Sequence, residues 1–332
     1  MSNKIFIGLL ATFLLASVSS AEAQQATKRA PRIGFLHSGS SSSVAKYRDA
    51  CLQALSGRGY VDGKNISFEY RYAEGKLDRL PELATELARL KVDVIVTGPG
   101  NEAALAAKVA TTTIPIVMVI VVDPVGSGLV ASLSHPGGNV TGLTFDVTPE
   151  QGGKNLELLK EAAPKVSRVA ILRHPNLQIH VAYSKEAERV AKKFGVTVQF
   201  AEVQASNDKD LENAFGAIVR ERAKALLVFA SSFFADRRPQ IVSFAARHKL
   251  PAIYPGSPYV DEGGLMSYGA SVVDLWPRAA IFVDKILKGT KPADLPVEQP
   301  MRFELVINLK TAKQIGVTIP QWTLMKAEKV IK

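Results

Sequence analysis

Several loops in the sequence carry side chains that can bind a polar group. The apolar segment Arg32-Ile-Gly-Phe-Leu36 is followed by a hydroxyl-rich loop that includes Ser38, Ser40 and Ser41. If a helix begins in this loop, its free backbone N–H groups and these hydroxyls attract a carboxylate. A serine at that position also caps a helix by accepting a hydrogen bond from the first turn. The sequence leaves both roles open.

A glycine-rich loop offers a second candidate. Gly98, Gly100 and Asn101 lie in the segment Thr97-Gly-Pro-Gly-Asn-Glu-Ala103, which fits the pattern G-x-G-x-x-A, and Asp123 follows roughly 20 residues later. Dinucleotide-binding folds use such glycines to approach a pyrophosphate and such an acid to hold a ribose. Here the loop follows the third predicted strand rather than the first, and its proline lacks a backbone donor. We therefore prefer a ligand carboxylate at this loop, with a dinucleotide-dependent oxidoreductase as the enzyme alternative.

Asp123 and Pro124 come directly after another β-branched segment. The carboxylate of Asp123 can receive a ligand ammonium group. It can also cap the turn that the proline begins. Both roles are compatible with the sequence.

Aromatic residues are frequent where the later predicted strands end. Phe229 and Ser231 follow one strand, Tyr254 ends the next, and Tyr268 lies in a third. Rings at such positions can enclose an apolar or aromatic ligand, or they can seal a hydrophobic core against solvent. These four residues complete the predicted ligand-binding set.

Little in the sequence indicates catalysis or a metal centre. The motifs G-x-S-x-G, H-E-x-x-H and G-x-x-x-x-G-K-[ST] are absent, as is any His-x-x-x-His spacing. The single cysteine, Cys51, shares the apolar side of a predicted helix with Leu55, where it serves as a small buried hydrophobic residue. We predict that the protein is not an enzyme and uses no cofactor or metal.

Short β-branched segments alternate with longer amphipathic segments, which is typical of βαβ units and parallel sheets. A first block predicts strands at 32–36, 66–71, 92–97, 116–122 and 140–145, with helices at about 43–58, 79–91, 101–111 and 125–134. A second block predicts strands at 169–172, 197–203, 225–230, 252–254 and 263–269, with helices at about 154–163, 178–194, 208–222, 236–249 and 274–288. The fold class is therefore α/β, with two Rossmann-like lobes.

The tail predicts a strand at 303–308 and a helix at about 310–315, too little for a third domain. We expect the chain to return between the lobes. Lobe 1 then holds residues 31–146 and about 265–292, and lobe 2 holds residues 147–262 and about 296–325. Because ligands bind outside the carboxyl ends of parallel strands, two facing lobes form one shared cleft.

The N-terminus has the order of a secretory signal peptide. Lys4 precedes an uncharged apolar stretch over 5–18 and the segment Ser19-Ser-Ala-Glu-Ala23. The stretch is shorter than the roughly 20 residues of a membrane-spanning helix. No cysteine lies near the cleavage point for lipid attachment. We predict export and cleavage of residues 1–23.

The net charge of +10 is spread over the chain. Basic pairs such as Lys192-Lys193 and Arg237-Arg238 have acidic or apolar neighbours, which indicates a solvated surface rather than a patch for nucleic acid. We predict no nucleic-acid partner.

The sequence resembles a bacterial family of ABC-transporter substrate-binding proteins with the type I periplasmic-binding fold, some members of which serve tryptophan or tyrosine uptake. The resemblance covers essentially the whole mature chain and includes Arg32-Ile-Gly-Phe-Leu36, Asp93-Val-Ile-Val96, Thr113-Ile-Pro-Ile-Val117, Asp123-Pro-Val125, Pro136-Gly-Gly-Asn-Val-Thr-Gly142 and Gly263-Gly-Leu-Met-Ser-Tyr-Gly269. The tail is the most characteristic part, with Pro292-Ala-Asp-Leu-Pro-Val-Glu-Gln-Pro300 and Phe303-Glu-Leu-Val-Ile-Asn-Leu-Lys-Thr-Ala312. His135 stands where the family often has arginine.

The resemblance implies a periplasmic solute receptor whose lobes are joined by three hinge crossings. Its partners would be a small carboxylate-bearing molecule, either an amino acid or an aromatic acid, and the membrane subunits of an ABC importer. The receptor would act as a monomer. An exported sensor module is an alternative, because it needs the same closing cleft.

Overall fold

The computed structural model describes residues 29–145, 148–205 and 207–332. The predicted signal peptide, residues 1–23, lies outside the described residues. The described chain forms two α/β lobes, each built around its own sheet. Across the described ranges, we find no helix that is both long and apolar enough to span a bilayer.

The first lobe contains a parallel sheet in the order β2-β1-β3-β4-β5. Its strands are β1 Arg32–His37, β2 Ser67–Tyr72, β3 Val94–Thr97, β4 Ile116–Val121 and β5 Val140–Thr144. The connecting helices are α1 Ser41–Ser56, α2 Leu80–Arg89 and α3 Asn101–Ala110, and a 3₁₀ turn at Leu77–Arg79 precedes α2. Alternate residues of the central strands belong to two separate hydrophobic clusters, because helices cover both faces of the sheet.

The second lobe contains a sheet in the order β12-β11-β10-β9-β8-β6-β7, in which only β10 and β11 pair antiparallel. Its strands are β6 Arg168–Arg173, β7 Thr197–Glu202, β8 Ala225–Val228, β9 Ala252–Tyr254, β10 Met266–Ala270, β11 Phe303–Asn308 and β12 Lys329–Ile331. The helices from residue 150 onward are α4 Glu150–Ala162, α5 Gln178–Lys193, α6 Asp208–Arg220, α7 Ser232–Asp236, α8 Arg238–Arg247, α9 Ser257–Asp261, α10 Val272–Leu287, α11 Leu309–Ile315 and α12 Gln321–Leu324. Helix α10 is the exception among them, because it packs on the first lobe.

The chain passes between the lobes three times, after β5, after β10 and before β11. The backbone N–H of Ser271 donates to Arg302 at 3.2 Å, so the second and third crossings lie side by side. Before the third crossing, Glu298 pairs with Leu143 of β5. These paired segments form the hinge.

The lobe boundaries differ from the sequence expectation at the second and third crossings. We expected residues from about 265 in the first lobe, but β10 lies in the second sheet between β9 and β11. Only α10 returns to the first lobe, where Trp276 is fully buried. The second-lobe tail was expected from about 296 to 325. The structure keeps Val297 and Glu298 against the first lobe and extends the second sheet to Ile331.

Helix α4 begins earlier than the sequence predicted, because its two glycines are helical rather than part of a loop. A Cβ atom at Gly152 would lie 2.2 Å from the carbonyl oxygen of Tyr183 in α5. A Cβ atom at Gly153 would lie 2.9 Å from the side chain of Val190 in the same helix. The glycines therefore allow α4 and α5 to pack with their backbones in close approach.

The predicted helix at 125–134 is wrong, because this segment consists of turns. The N–H groups of Leu129 and Val130 both donate to the carbonyl of Pro124, at 2.9 and 3.1 Å. Gly128 has φ +72, so the backbone leaves the right-handed helical conformation at this residue. The segment thus remains a compact loop beside β4.

Candidate functional site

The two lobes face each other across a cleft that contains a mainly apolar pocket, which we call the main pocket. Its volume is about 620 Å³, including the open solvent at its mouth. The first lobe and the hinge supply Tyr47, Pro99, Gly100, Ile120, Val122 and Phe145. The second lobe supplies Ala230, Ser231, Ser232, Ala235, Arg238, Pro255, Gly256, Pro258 and Tyr259. Most of these residues follow the carboxyl ends of strands, as expected for an open parallel sheet.

One cationic side chain, Arg238, lies among the apolar groups that line the main pocket. Its Nε atom is buried and has no hydrogen-bond partner among the described residues. The guanidinium lies 6.0 Å from the ring centre of Tyr259, whose hydroxyl is also buried and unpartnered within the described chain. Burial raises the pKa of this tyrosine, which keeps it a neutral donor. The pocket therefore combines apolar walls with donors suited to a carboxylate.

The lobes touch directly at one edge of the main pocket. The hydroxyl of Ser232 in α7 donates to Oε1 of Glu102 in α3 at 2.6 Å. A Cβ atom at Gly100 would lie 2.8 Å from Cβ of Ser232. A weaker ion pair joins Lys46 and Asp261 across the cleft, with Nζ and Oδ2 3.8 Å apart. These contacts define a closed arrangement of the lobes.

The glycine-rich loop is shaped by contacts within the protein. A Cβ atom at Gly98 would lie 2.3 Å from the carbonyl oxygen of Val119, and the Gly98 carbonyl accepts a short hydrogen bond from Nδ1 of His37. Burial lowers the pKa of His37 to about 4, so this histidine is neutral. Gly100 faces the second lobe, where a pyrophosphate would have to approach. The geometry thus gives the G-x-G-x-x-A pattern a role in packing and lobe contact.

A bulge in β4 places a further residue in the main pocket. The register of β4 against β5 shifts between Val119 and Val121. Ile120, at the shift, has φ +60, which is unusual for a β-branched residue. Its carbonyl accepts from the N–H of Gly100 at 3.1 Å, and its side chain lines the pocket.

Asn101 and Asp123 hold the loops that follow β3 and β4. The side chain of Asn101 donates to the carbonyl of Val122 at 2.6 Å and accepts from its N–H at 3.0 Å. Oδ1 of Asp123 accepts from the N–H of Gly126 at 2.8 Å, which is the capping role. The backbone of Asp123 is in the left-handed region, with φ +45. The carbonyl of Pro124 accepts hydrogen bonds from the turn that follows.

The three predicted serines after β1 are not among the residues that line the main pocket. Ser38 is buried and donates to the carbonyl of Pro99 at 3.2 Å. Ser40 is the N-cap of α1 and accepts from the N–H of Ser43 at 3.2 Å. Ser41 is exposed in the first turn of α1. The capping role is therefore present at Ser40.

The predicted aromatic residues are divided between the cleft and the core. Phe229 and Tyr268 line a smaller pocket of about 320 Å³ beside the hinge, which shares Phe145 with the main pocket. Tyr254 is buried in the second lobe and stacks on Tyr259, with ring centres 5.0 Å apart. Tyr254 thus supports a residue of the main pocket from behind.

Two buried histidines position the loop that carries Ser231. His174 donates through Nδ1 to the carbonyl of Val203 at 2.8 Å, so its Nε2 accepts from the Ser231 hydroxyl at 3.1 Å. His180 accepts the N–H of His174 at Nδ1 and donates through Nε2 to the carbonyl of Ala230 at 2.8 Å. Burial lowers the pKa of both rings, that of His180 to about 3. Neutral histidines therefore fix two adjacent residues of the main pocket.

Sequence reasoning missed Arg238, Glu102 and the histidine pair. Arg238 belongs to an Arg-Arg pair that has the appearance of ordinary surface charge. The two histidines lie six positions apart along the chain, so no short motif connects them. Glu102 could have been identified from its position in the first turn of the helix that follows the glycine-rich loop. Cys51 is buried as predicted, and burial raises the pKa of its thiol to about 12.

A family model described as "ABC transporter substrate binding protein" matches residues 33–331 of this sequence. The chain belongs to this family. Its two lobes and three hinge crossings are those of the type I periplasmic binding proteins, as the resemblance implied.

Similar proteins include receptors with known ligands. A tyrosine-binding protein of Clostridioides difficile is 27% identical over 323 residues, which cover 94% of this chain and 91% of the relative. The structure of an ABC domain from Streptococcus pneumoniae in complex with L-Trp is 28% identical, with a TM-score of 0.80 over 91% of this chain and 99% of that one. A ligand-free, open substrate binding protein from Clostridium difficile is 25% identical, with a TM-score of 0.67 over 91% and 99% of the two chains.

Proposed function

We propose that this protein is a receptor that closes around an aromatic amino acid or a related aromatic acid in the main pocket. The carboxylate of the solute binds Arg238, and its apolar part lies between Tyr47, Val122 and Phe145. The observation that carries this proposal is a guanidinium in a mainly apolar pocket, with a buried Nε that has no hydrogen-bond partner in the part of the chain that the structure describes. Binding in the micromolar range corresponds to about 8 kcal/mol. Charge-assisted hydrogen bonds to the carboxylate and burial of the ring both contribute to it.

This arrangement exchanges the roles that the sequence suggested for the two lobes. We expected helix N-termini of the first lobe to hold the carboxylate and aromatic residues of the second lobe to cover the ring. In the structure, the cation lies on the second lobe and Tyr47 lies on the first. Support for an aromatic amino acid comes from the relatives, one of which is a tyrosine-binding protein and one of which holds L-Trp.

The family and the N-terminal sequence support a proposal for the cellular setting. We propose that residues 1–23 direct export to the periplasm and are removed there. The closed receptor then delivers its solute, as a monomer, to the membrane subunits of an ABC importer. In this role it binds the solute without chemical change.

Arginine substitution in one helix tests the ligand assignment. Arg238→Gln should weaken binding of L-tryptophan or L-tyrosine at least about tenfold, because a carboxylate then loses its charged partner in an apolar site. Arg247→Gln at the other, exposed end of α8 is the matched control and should leave binding unchanged. The measurement is calorimetric titration of both variants and the wild type after ligand removal by unfolding and refolding.

Equal affinity in wild type and Arg238→Gln would contradict the placement of the carboxylate. Far-ultraviolet circular dichroism of the variant checks that its fold is intact. The proposed ligand class would be contradicted if the wild type bound neither of these amino acids nor a related aromatic acid such as 3-(indol-3-yl)propionate.

A further inference from the structure

Glu102 has an unusual environment at the edge of the main pocket. Its Oε1 accepts the hydroxyl of Ser232 across the cleft at 2.6 Å. Its Oε2 is buried and has no hydrogen-bond partner among the described residues. A carboxylate oxygen only accepts, and leaving one buried without a donor is costly. The site is therefore suited to a group that brings N–H donors and positive charge.

Glu102 also lines a second cavity in the cleft, whose volume is about 780 Å³ when the open solvent at its mouth is included. The second cavity shares the lining residues Val122, Ser231 and Ser232 with the main pocket. Its other polar lining residues include Ser127, whose buried hydroxyl also has no hydrogen-bond partner within the described chain. A ligand in the main pocket can thus extend a polar group toward Glu102.

The charges around the cleft are complementary but are not paired with each other. Among the described residues, Nε of Arg238 is a donor without a partner and Oε2 of Glu102 is an acceptor without a partner. Asp236, two residues before Arg238 in the sequence, is a further acidic residue whose pKa responds to the charge of Glu102. Partial burial of its carboxyl group, followed by the charge of Glu102, raises the pKa of Asp236 to about 6. A solute that carries both an anionic and a cationic group matches this distribution better than a simple acid.

We propose that Glu102 binds the ammonium group of an α-amino acid whose carboxylate lies on Arg238. This inference rests on the proposed function and narrows its ligand class from aromatic acids in general to amino acids. The sequence had offered Asp123 for this role, but the Asp123 carboxylate caps its own turn at Gly126. Glu102 instead reaches the cleft from the first turn of α3.

Two probes that differ only in the amino group test the proposal. L-tryptophan and 3-(indol-3-yl)propionate are titrated calorimetrically into wild type and Glu102→Gln. The wild type should bind L-tryptophan at least about tenfold more tightly than the propionate. Glu102→Gln should reduce this preference to less than about threefold, mainly through loss of affinity for tryptophan.

Two further variants separate the ammonium contact from lobe contact and from general charge. Ser232→Ala removes the hydroxyl that reaches Glu102 but keeps the carboxylate, so affinity for both probes should fall by the same factor. Glu82→Gln changes the equivalent first-turn glutamate of α2, which is exposed. It should leave both affinities unchanged.

The proposal is overturned if the wild type does not distinguish the two probes, or if Glu102→Gln keeps the full preference while its melting temperature shows an intact fold. It is also overturned if Glu102→Asp, which keeps the charge, abolishes the preference as fully as Glu102→Gln. Binding of neither probe by the wild type would be a different result, because it would contradict the proposed function itself.

Discussion

Gly100 shows how a single residue can control access to the closed form. It has φ +108, and its Cα hydrogen faces Ser232 of the opposite lobe. Only glycine adopts this conformation without strain and leaves space for the second lobe. Gly98, two residues earlier, packs against Val119 within the first lobe.

Gly100→Ala should therefore weaken solute binding at least about tenfold, because its Cβ atom would lie 2.8 Å from Cβ of Ser232 and would keep the lobes apart. Calorimetric titration with L-tryptophan measures the effect. Gly63→Ala is the control, since Gly63 also has positive φ but no atom of the described residues lies within 4 Å of its Cβ position. An alanine at 100 that binds as well as the wild type would show that close approach at this point is unnecessary.

At the residue scale, the sequence predicted the loops of the site better than the contacting side chains. Ser231 and Gly100 line the main pocket, whereas Ser40 caps a helix and Tyr254 lies behind Tyr259. Position after a strand indicates that a residue is near the cleft. Which side chain turns inward depends on contacts such as the His174–Ser231 hydrogen bond, which joins residues far apart in sequence.

At the scale of elements, buried histidines support both lobes where loops leave the sheets. His37 ends β1 and His180 lies in α5, and both are fully buried. Burial lowers their pKa values to about 4 and about 3. The unfolded chain, in which a histidine has a pKa of about 6.5, therefore binds more protons than the folded chain in mildly acidic solution.

We predict that stability is greatest above about pH 6.5 and falls as the pH is lowered toward 4. Between pH 6.5 and 5, each of these two histidines should cost about 2 kcal/mol of unfolding free energy. Asp236 acts in the opposite direction, because its pKa is raised in the folded state. Urea unfolding of the wild type at pH 7.5 and pH 5.0 measures the difference.

His248→Gln, at an exposed histidine, should show the same loss of stability as the wild type. A folded His180→Gln variant should lose less on acidification, since one buried base has been removed. Equal wild-type stability at the two pH values would contradict the neutral, buried state of these rings.

Most elements were predictable because apolar periodicity records which faces are buried. The wrong predictions occurred where apolar periodicity gives no information. Gly152 and Gly153 resemble a linker in the sequence but lie in α4. Glycine is required at both positions because a side chain there would collide with α5. The alternation also shows that β10 is a strand without showing which sheet it joins, and β12 at Lys329–Ile331 is too short to produce a pattern.

At the scale of the whole molecule, three chain crossings allow the two lobes to be rigid units around one cleft. The second and third hinge segments are joined by the hydrogen bond from Ser271 to Arg302. Across the cleft the described contacts are few, chiefly Ser232 with Glu102 and Lys46 with Asp261. Closure must therefore depend on the solute as much as on direct contact between the lobes.

The proposed role of this cleft is to bind a free aromatic amino acid. The most direct test is calorimetric titration of the mature chain, residues 24–332, with L-tyrosine and L-tryptophan after removal of bound solutes by unfolding and refolding. We expect saturable binding of at least one of them at one site per chain, with a dissociation constant in the micromolar range or below, which corresponds to about 8 kcal/mol or more. No heat of binding from either amino acid, in a refolded protein with a cooperative thermal transition, would contradict it.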